Sequence, residues 1–261
     1  MWRVQRIPSL EDVQPTELGR KAVAIGLPML NVSSRQWPIN ERGGRFSRAS
    51  YTSLVMNRFG HAVRATSNTA WDWCVAHAQH LTSSLTAATF VFWGRLNPTG
   101  TGDAVVSISD SASNAQREFV FGRLDGWADI FLQIANATVW KNVNVCSQSL
   151  LTSEPCVWGF TWHTSGRATF WRNGAQLHDS TGWPAAPIFS FSTNVWRRKN
   201  WRMDIEVNFY ACFPFVLPNM SEATSPTLDW IIQRDVHRVW SVPASSFKAA
   251  WAVRRSQVIA A

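Results

Sequence analysis

Cys156-Val157-Trp158-Gly159-Phe160-Thr161-Trp162-His163 leads through Thr164-Ser165 into Gly166-Arg167-Ala168-Thr169-Phe170-Trp171-Arg172-Asn173-Gly174. This stretch decides the fold. Residues 157–162 are almost all apolar or β-favouring, and residues 167–172 continue in that vein. His163-Thr164-Ser165-Gly166 has the composition of a hairpin loop. Asn173-Gly174 is the strongest short turn signal available, because both residue types accept positive φ. The stretch therefore reads as strand, short turn, strand, tight turn, and the protein as one built of β-hairpins.

The same rhythm continues on both sides. Residues 89–96 read as a strand closed by Asn97-Pro98-Thr99-Gly100-Thr101-Gly102. Residues 104–109, 117–124 (ending in Asp125-Gly126) and 128–136 follow, the last alternating Ile130, Leu132 and Ile134 with Asp129, Phe131 and Gln133. Residues 60–66 form a short strand. In 202–216, Met203, Ile205, Val207 and Phe209 alternate with Asp204, Glu206, Asn208 and Tyr210, the pattern of a half-buried strand. Turn signals at this spacing predict an all-β fold of two packed antiparallel sheets. The best helix candidate, 222–233, is interrupted by Pro226. Residues 1–24 and 224–261 lack this rhythm and read as an N-terminal and a C-terminal arm around a body at 25–223.

A chain of 261 residues can bury one large core. Charged residues are only 16%, yet there are 16 tryptophans against 2 tyrosines. An indole needs burial or an interface and a partner for its N–H. Either the core is tryptophan-rich or some tryptophans face other proteins or sugars. The net charge of +8 comes from arginine, 21 of the 25 basic residues. Guanidinium suits desolvated interface pairs. The basic residues are scattered, with short clusters at 42–48, 197–202 and Arg254-Arg255, and a nucleic-acid groove needs a denser stripe. Direct nucleic-acid binding is not expected. Cys74, Cys146, Cys156 and Cys212 fit no zinc spacing. A bridge between Cys146 and Cys156 is conceivable, but buried free thiols are the favoured reading. The opening Met1-Trp2-Arg3-Val4-Gln5-Arg6 has no apolar core of a secretory signal, and no apolar run approaches membrane-spanning length.

The 156–174 hairpin resembles the central hairpin of the laminin-G-like, concanavalin-A-like jelly-roll superfamily, which ends in aromatic-x-Asn-Gly. Thr89-Phe90-Val91-Phe92-Trp93-Gly94-Arg95 resembles an early sheet strand of that family, and Phe59-Gly60-His61-Ala62-Val63-Arg64 the glycine-led strand before it. Residues 203–209 with Leu217-Pro218-Asn219-Met220-Ser221-Glu222-Ala223 look like its late strand and short tail. The resemblance spans about 25–223 and implies a jelly-roll sandwich. The flanks, Pro15-Thr16-Glu17-Leu18-Gly19-Arg20-Lys21-Ala22-Val23 and Arg238-Val239-Trp240-Ser241-Val242-Pro243, resemble the opening and ending of jelly-roll proteins encoded by tailed bacteriophages. That likeness implies a virion location, with other virion proteins and copies of the chain itself as partners.

Little reactive chemistry is visible. Glycosidases of the superfamily carry spaced carboxylates on one strand. Here only Asp204-Ile205-Glu206 is similar, lacks a third carboxylate, and reads as a solvated strand face. The expectation is that the protein is not an enzyme. Calcium would need loop oxygens, and Asp103, Asp110, Asp125 and Asp129 are loop-adjacent. Their spacing matches no ligand set, so they read as turn-formers and no cofactor is expected. His77 and His80 would share a helical face, but no third ligand follows. Sugar binding needs aromatic platforms flanked by polar groups. Trp127 with Asp129, and Trp183 after His178-Asp179, are the candidates, with core or contact tryptophan as the competing reading. For subunit contacts the candidates are Trp2, Arg3, Arg6, Trp240, Trp251, Arg254 and Arg255 on the arms, where hot-spot residue types meet low intrinsic structure. The expected function is therefore a non-catalytic virion structural protein, for capsid decoration or a tail or fibre. The alternative is a lectin-like module that binds glycans.

Overall fold

The computed structural model describes residues 13–22, 24–26, 46–48, 52–65, 74–76, 86–96, 104–109, 118–123, 129–135, 140–151, 154–184, 194–195, 205–227 and 229–234. Its first strands are β1 (Val13–Pro15), β2 (Ala24–Gly26), β3 (Phe46–Arg48), β4 (Thr52–Asn57), β5 (Gly60–Ala65) and β6 (Cys74–Ala76). Then come β7 (Ala87–Leu96), β8 (Ala104–Ser109), β9 (Glu118–Arg123), β10 (Asp129–Ala135) and β11 (Trp140–Ser147). The last are β12 (Cys156–His163), β13 (Ala168–Arg172), β14 (Ala175–Ser180), β15 (Asn194–Val195), β16 (Ile205–Phe213) and β17 (Ile232–Arg234). Two four-residue helices, α1 (Glu17–Arg20) and α2 (Met220–Ala223), sit near the ends.

The strands form an antiparallel jelly-roll sandwich, as the hairpin pattern predicts. One sheet runs β11-β10-β9-β8-β15-β6-β3 and the other β14-β13-β12-β7-β16-β5-β4, with β2 added on β16. The decisive hairpin forms as read: Trp162 faces Ala168 and Trp158 faces Arg172 across β12 and β13. Its tight turn holds Asn173 at φ 47 and Gly174 at φ 85, the left-handed pair that Asn-Gly supplies. Asn173 also accepts from the Val157 N–H and donates its own N–H to the Val157 carbonyl, which fastens the turn to β12.

Between the sheets the contact is aromatic. Phe121 on β9 has its ring centroid 5.3 Å from Phe92, 5.8 Å from Phe160 and 5.7 Å from Phe170. Within the larger sheet, Phe90 stacks on its cross-strand partner Phe160 at 4.7 Å. Each such pair contributes about 0.5–1.5 kcal/mol beyond the apolar area it buries.

The larger sheet is apolar on its other face too. Val91, Trp93, Val157, Phe209, Ala211 and Phe213 form a second core with Leu217, Met220, Ala223, Trp230 and Ile231. Strand β16, which sequence alternation marks as half-buried, is therefore buried along its whole length. Glu206 is correspondingly not on a solvated face. Its carboxylate is buried, accepts from Arg95 at 2.7 Å and from Asn57 at 3.0 Å, and has Arg64 at 4.0 Å. A buried carboxylate stays charged only with such partners, and removing one typically costs about 3–5 kcal/mol. Asp204 lies outside the described residues.

The second core is roofed by the inner parts of both arms. Strands β1 and β17 pair, Val13 facing Arg234 and Pro15 facing Ile232. Thr16 caps α1 by accepting from Gly19 N–H and gives its hydroxyl proton to the Trp230 carbonyl. Trp230 then packs on Phe209 and Phe213 at 6.4 and 5.9 Å. Residues 13–22 and 224–227 with 229–234 are thus folded against the body, and α2 ends at Ala223, before Pro226. Of the cysteines, Cys146, Cys156 and Cys212 form no disulfide. Burial pushes the Cys146 thiol up to about 12, so it is protonated and inert at neutral pH.

Two glycines test this packing. A Cβ on Gly94 would lie 1.9 Å from the backbone oxygen of Glu206, whereas one on Gly159 would meet the side-chain ends of Thr224 at 2.5 Å and Met220 at 3.0 Å. Backbone cannot yield where a methyl terminus can. Gly94→Ala is expected to destabilise by about 3 kcal/mol or more and Gly159→Ala by about 1–2 kcal/mol, read by urea denaturation.

Candidate functional site

Alternation along β12 and β13 sends Trp158, Phe160, Trp162, Ala168 and Phe170 inward. It sends Thr161, His163, Arg167, Thr169 and Trp171 to the opposite face, where Trp171 packs against the edge of the second core. Gln176 of β14 pairs with Trp171 and so shares that face. Residues 216–221 run beside it. Together they enclose a cleft of about 440 Å³, with Trp171 on the strand side and Val216, Leu217, Pro218 and Met220 on the loop side. This volume lies within the range of small-ligand sites.

Hydrogen bonds hold both sides. Thr89, buried on β7, donates to the Phe215 carbonyl at 2.7 Å and accepts from the Leu217 N–H at 3.0 Å, which fixes the start of the loop wall. The far end is held at the tight turn: the Ser221 hydroxyl donates to the Gly174 carbonyl, and the Gly174 N–H donates to Thr224. On the strand side the Trp171 indole N–H donates to the Thr169 hydroxyl at 2.9 Å, and Thr169 bonds Thr161 at 2.6 Å. The indole N–H is thereby consumed. What Trp171 offers a ligand is ring surface.

The polar groups have defined states. His163 Nδ1 accepts from the Ser165 N–H at 2.9 Å, so in the neutral ring the proton sits on Nε2 as a donor. Arg167 gives Nε–H and one terminal N–H to the two oxygens of Asp179, at 3.0 and 2.6 Å. The Arg167 guanidinium holds the Asp179 carboxyl below the usual carboxylate range, and the Arg167 pKa is raised in turn.

Of the residues selected by sequence as sugar platforms, Trp183 is corrected. It is buried, its indole N–H donates to Ser180 at 2.7 Å, and Lys141 lies over its ring at 5.0 Å. At 3% exposure the ring offers no platform for a sugar. Asp129 sits at the start of β10 and accepts from Asn144 at 3.0 Å, away from the cleft. Trp127 lies outside the described residues, as do Trp2, Arg3, Arg6, Trp240, Trp251, Arg254 and Arg255. So do Asp103, Asp110, Asp125, His77 and His80. Among the described residues no group of three His, Cys, Asp or Glu side chains could hold a metal ion, and no described helix is long and apolar enough to cross a membrane. The residues that sequence reading passed over are Thr161, His163, Arg167, Thr169 and Trp171. The signal was present, because they are the outward set of the very hairpin that decides the fold.

No protein-family model matches the chain, and no curated protein matches it. Solved structures do. Type C botulinum neurotoxin, which enters cells in dependence on an interaction with two ganglioside molecules, superposes with a TM-score of 0.58 at 11% identity. The match covers 78% of this chain and 50% of that one. The binding domain of Paraclostridial Mosquitocidal Protein 1 superposes at 0.57 and 16% identity, covering 80% of this chain and 52% of that one. The binding domain of botulinum neurotoxin DC in complex with SialylT gives 0.57 at 11%, covering 79% and 51%. At such identities the likeness is one of fold, and the chain spans about half the length of these structures. The likeness places the chain among jelly-roll β-sandwich folds, and the neighbours themselves are binding domains of toxins.

The Arg167–Asp179 pair carries a check on the site's electrostatics. Because the folded carboxyl is depressed, any stabilisation from the pair is complete above the unfolded value of about 4 and is lost as pH falls through the lower folded one. Carboxyl-detected NMR should show Asp179 titrating below that value, and Arg167→Ala should return it upward.

Proposed function

We propose that this chain is a non-catalytic carbohydrate-binding module and that the sugar sits in the cleft over Trp171. The observation that carries the reading is the half-buried indole with its N–H already bonded, ringed by Thr161, His163, Arg167 and Gln176. Sugar recognition asks for an apolar plate for ring C–H groups and a rim of donors and acceptors for hydroxyls. The cleft has both. Support comes also from the fold neighbours, of which one depends on gangliosides and another was obtained with SialylT. The absence of catalysis is supported by the state of Glu206, whose carboxylate is committed to Arg95 and Asn57 and cannot serve as a free acid or nucleophile.

A second reading places the same module on a phage particle. It rests on the sequence likeness of the flanks, and one feature favours it: Val13 faces Arg234, which brings the first and last described residues together. The sequences beyond them carry tryptophan and arginine, residue types that suit attachment to neighbouring subunits.

Glycan-array screening tests the first reading. The chain should give saturable signals that Trp171→Ala removes and Trp171→Phe largely keeps, and a blank array would overturn it. For the second, the chain should co-sediment with particles through its ends, so a variant lacking 1–12 and 235–261 should fold, keep its glycan signal and lose the particle.

A further inference from the structure

The cleft has one charged lining residue, Arg167, and that charge is answered in place. Both Nε–H and a terminal N–H point at the Asp179 oxygens, and Asp179 also accepts from Gln176. Thr169 faces Asp179 across β13 and β14, so the carboxylate lies on the same outward face as the cleft floor. The remaining polar lining holds no carboxylate: Thr161, His163, Ser165, Thr169, Gln176, Asn219 and Ser221.

Resting on the carbohydrate reading, we propose that the Arg167–Asp179 pair makes this cleft selective for neutral hexose residues over acidic sugars such as sialic or uronic acids. A neutral pyranose places its C–H face on Trp171 and its hydroxyls against donors and acceptors that carry no net charge. An acidic sugar meets an arginine whose Nε edge is bonded to Asp179 and whose charge that carboxylate offsets, so a second carboxylate gains no net attraction from the pair. The overall charge of +8 pulls the other way. It acts at long range, however, and at physiological salt the field decays over about 8 Å, so the adjacent carboxylate decides. Asp179 is then a specificity-determining residue: it touches no sugar and acts through Arg167.

The test is titration of the whole chain with neutral hexose oligosaccharides and with the same chains capped by sialic acid, uronic acid or sulfate. Wild-type protein should prefer the neutral series, with a Kd that changes less than about twofold between 50 mM and 500 mM salt, because no counterion exchange accompanies neutral binding. Asp179→Asn leaves the Arg167 charge without its offsetting carboxylate. It should leave neutral binding unchanged and strengthen acidic binding about tenfold, in a salt-sensitive way; that is roughly 1.4 kcal/mol. Far-UV circular dichroism would confirm that the variant is folded, and Asp179→Ser serves as a second variant should it not be. Tighter wild-type binding of the acidic series, lost with Trp171→Ala, would overturn the selectivity while leaving the carbohydrate reading intact. Binding of neither series, or binding indifferent to Trp171→Ala, would remove both.

Discussion

The constraint on which this structure depends is a β-sheet that is apolar on both faces. Strands β7, β12 and β16 are buried almost residue for residue. Such a sheet has to be covered twice. One cover is the second sheet, locked on through Phe121 among Phe92, Trp158, Phe160 and Phe170. The other is the clasp of β1, α1, α2 and β17, with Trp230 and Ile231 pressed onto Phe209, Ala211 and Phe213. Full burial of a large apolar side chain is worth about 1.5–3 kcal/mol. These aromatic layers therefore outweigh any surface ion pair, which is typically worth about 0–1 kcal/mol.

The site follows from where the second cover stops. Over β7 and β16 the outward residues are Val91, Trp93, Phe209 and Phe213, and they draw the chain ends down. Over the outer strands β12 to β14 Val157 and Trp171 still pack on the second core, while Thr161, His163, Arg167, Thr169 and Gln176 line the cleft. The 216–221 segment crosses the border between the two regions. It is pinned by Thr89 at one end and by the Asn173-Gly174 turn at the other. A cleft with one apolar and one polar flank is the consequence, and Trp171 lies at the seam. The second core and the cleft thus share one sheet face, divided by composition.

Much of the fold was legible beforehand. Residues 104–109 were placed to the residue, and 60–66, 89–96, 117–124 and 128–136 to within about two, because turn signals bracket each apolar run. Strands β4, β11 and β14 were not singled out: Trp140-Lys141-Asn142-Val143-Asn144 and Ala175-Gln176-Leu177-His178-Asp179 carry little β signature and are strands because a neighbour offers an edge to pair with. The candidate site was less legible. Proximity to aspartate in a loop favoured Trp183, yet Lys141 and Ser180 take both its ring and its N–H. Trp171 was hidden in plain view, since strand alternation shows that it points outward but not whether anything covers it.

The sequence by itself determined the hairpins, the tight turn and which residues of each strand face the same way, because these depend on φ/ψ preference and a period of two, both local. It could not say that Glu206 lies buried between Arg95, Arg64 and Asn57, or that the inner parts of both flanks are roof over the core. Nor could it show that Arg167 meets Asp179. Those outcomes depend on contacts between residues far apart in the chain, or on what covers the outer face of a sheet, and only closure of the tertiary structure decides them.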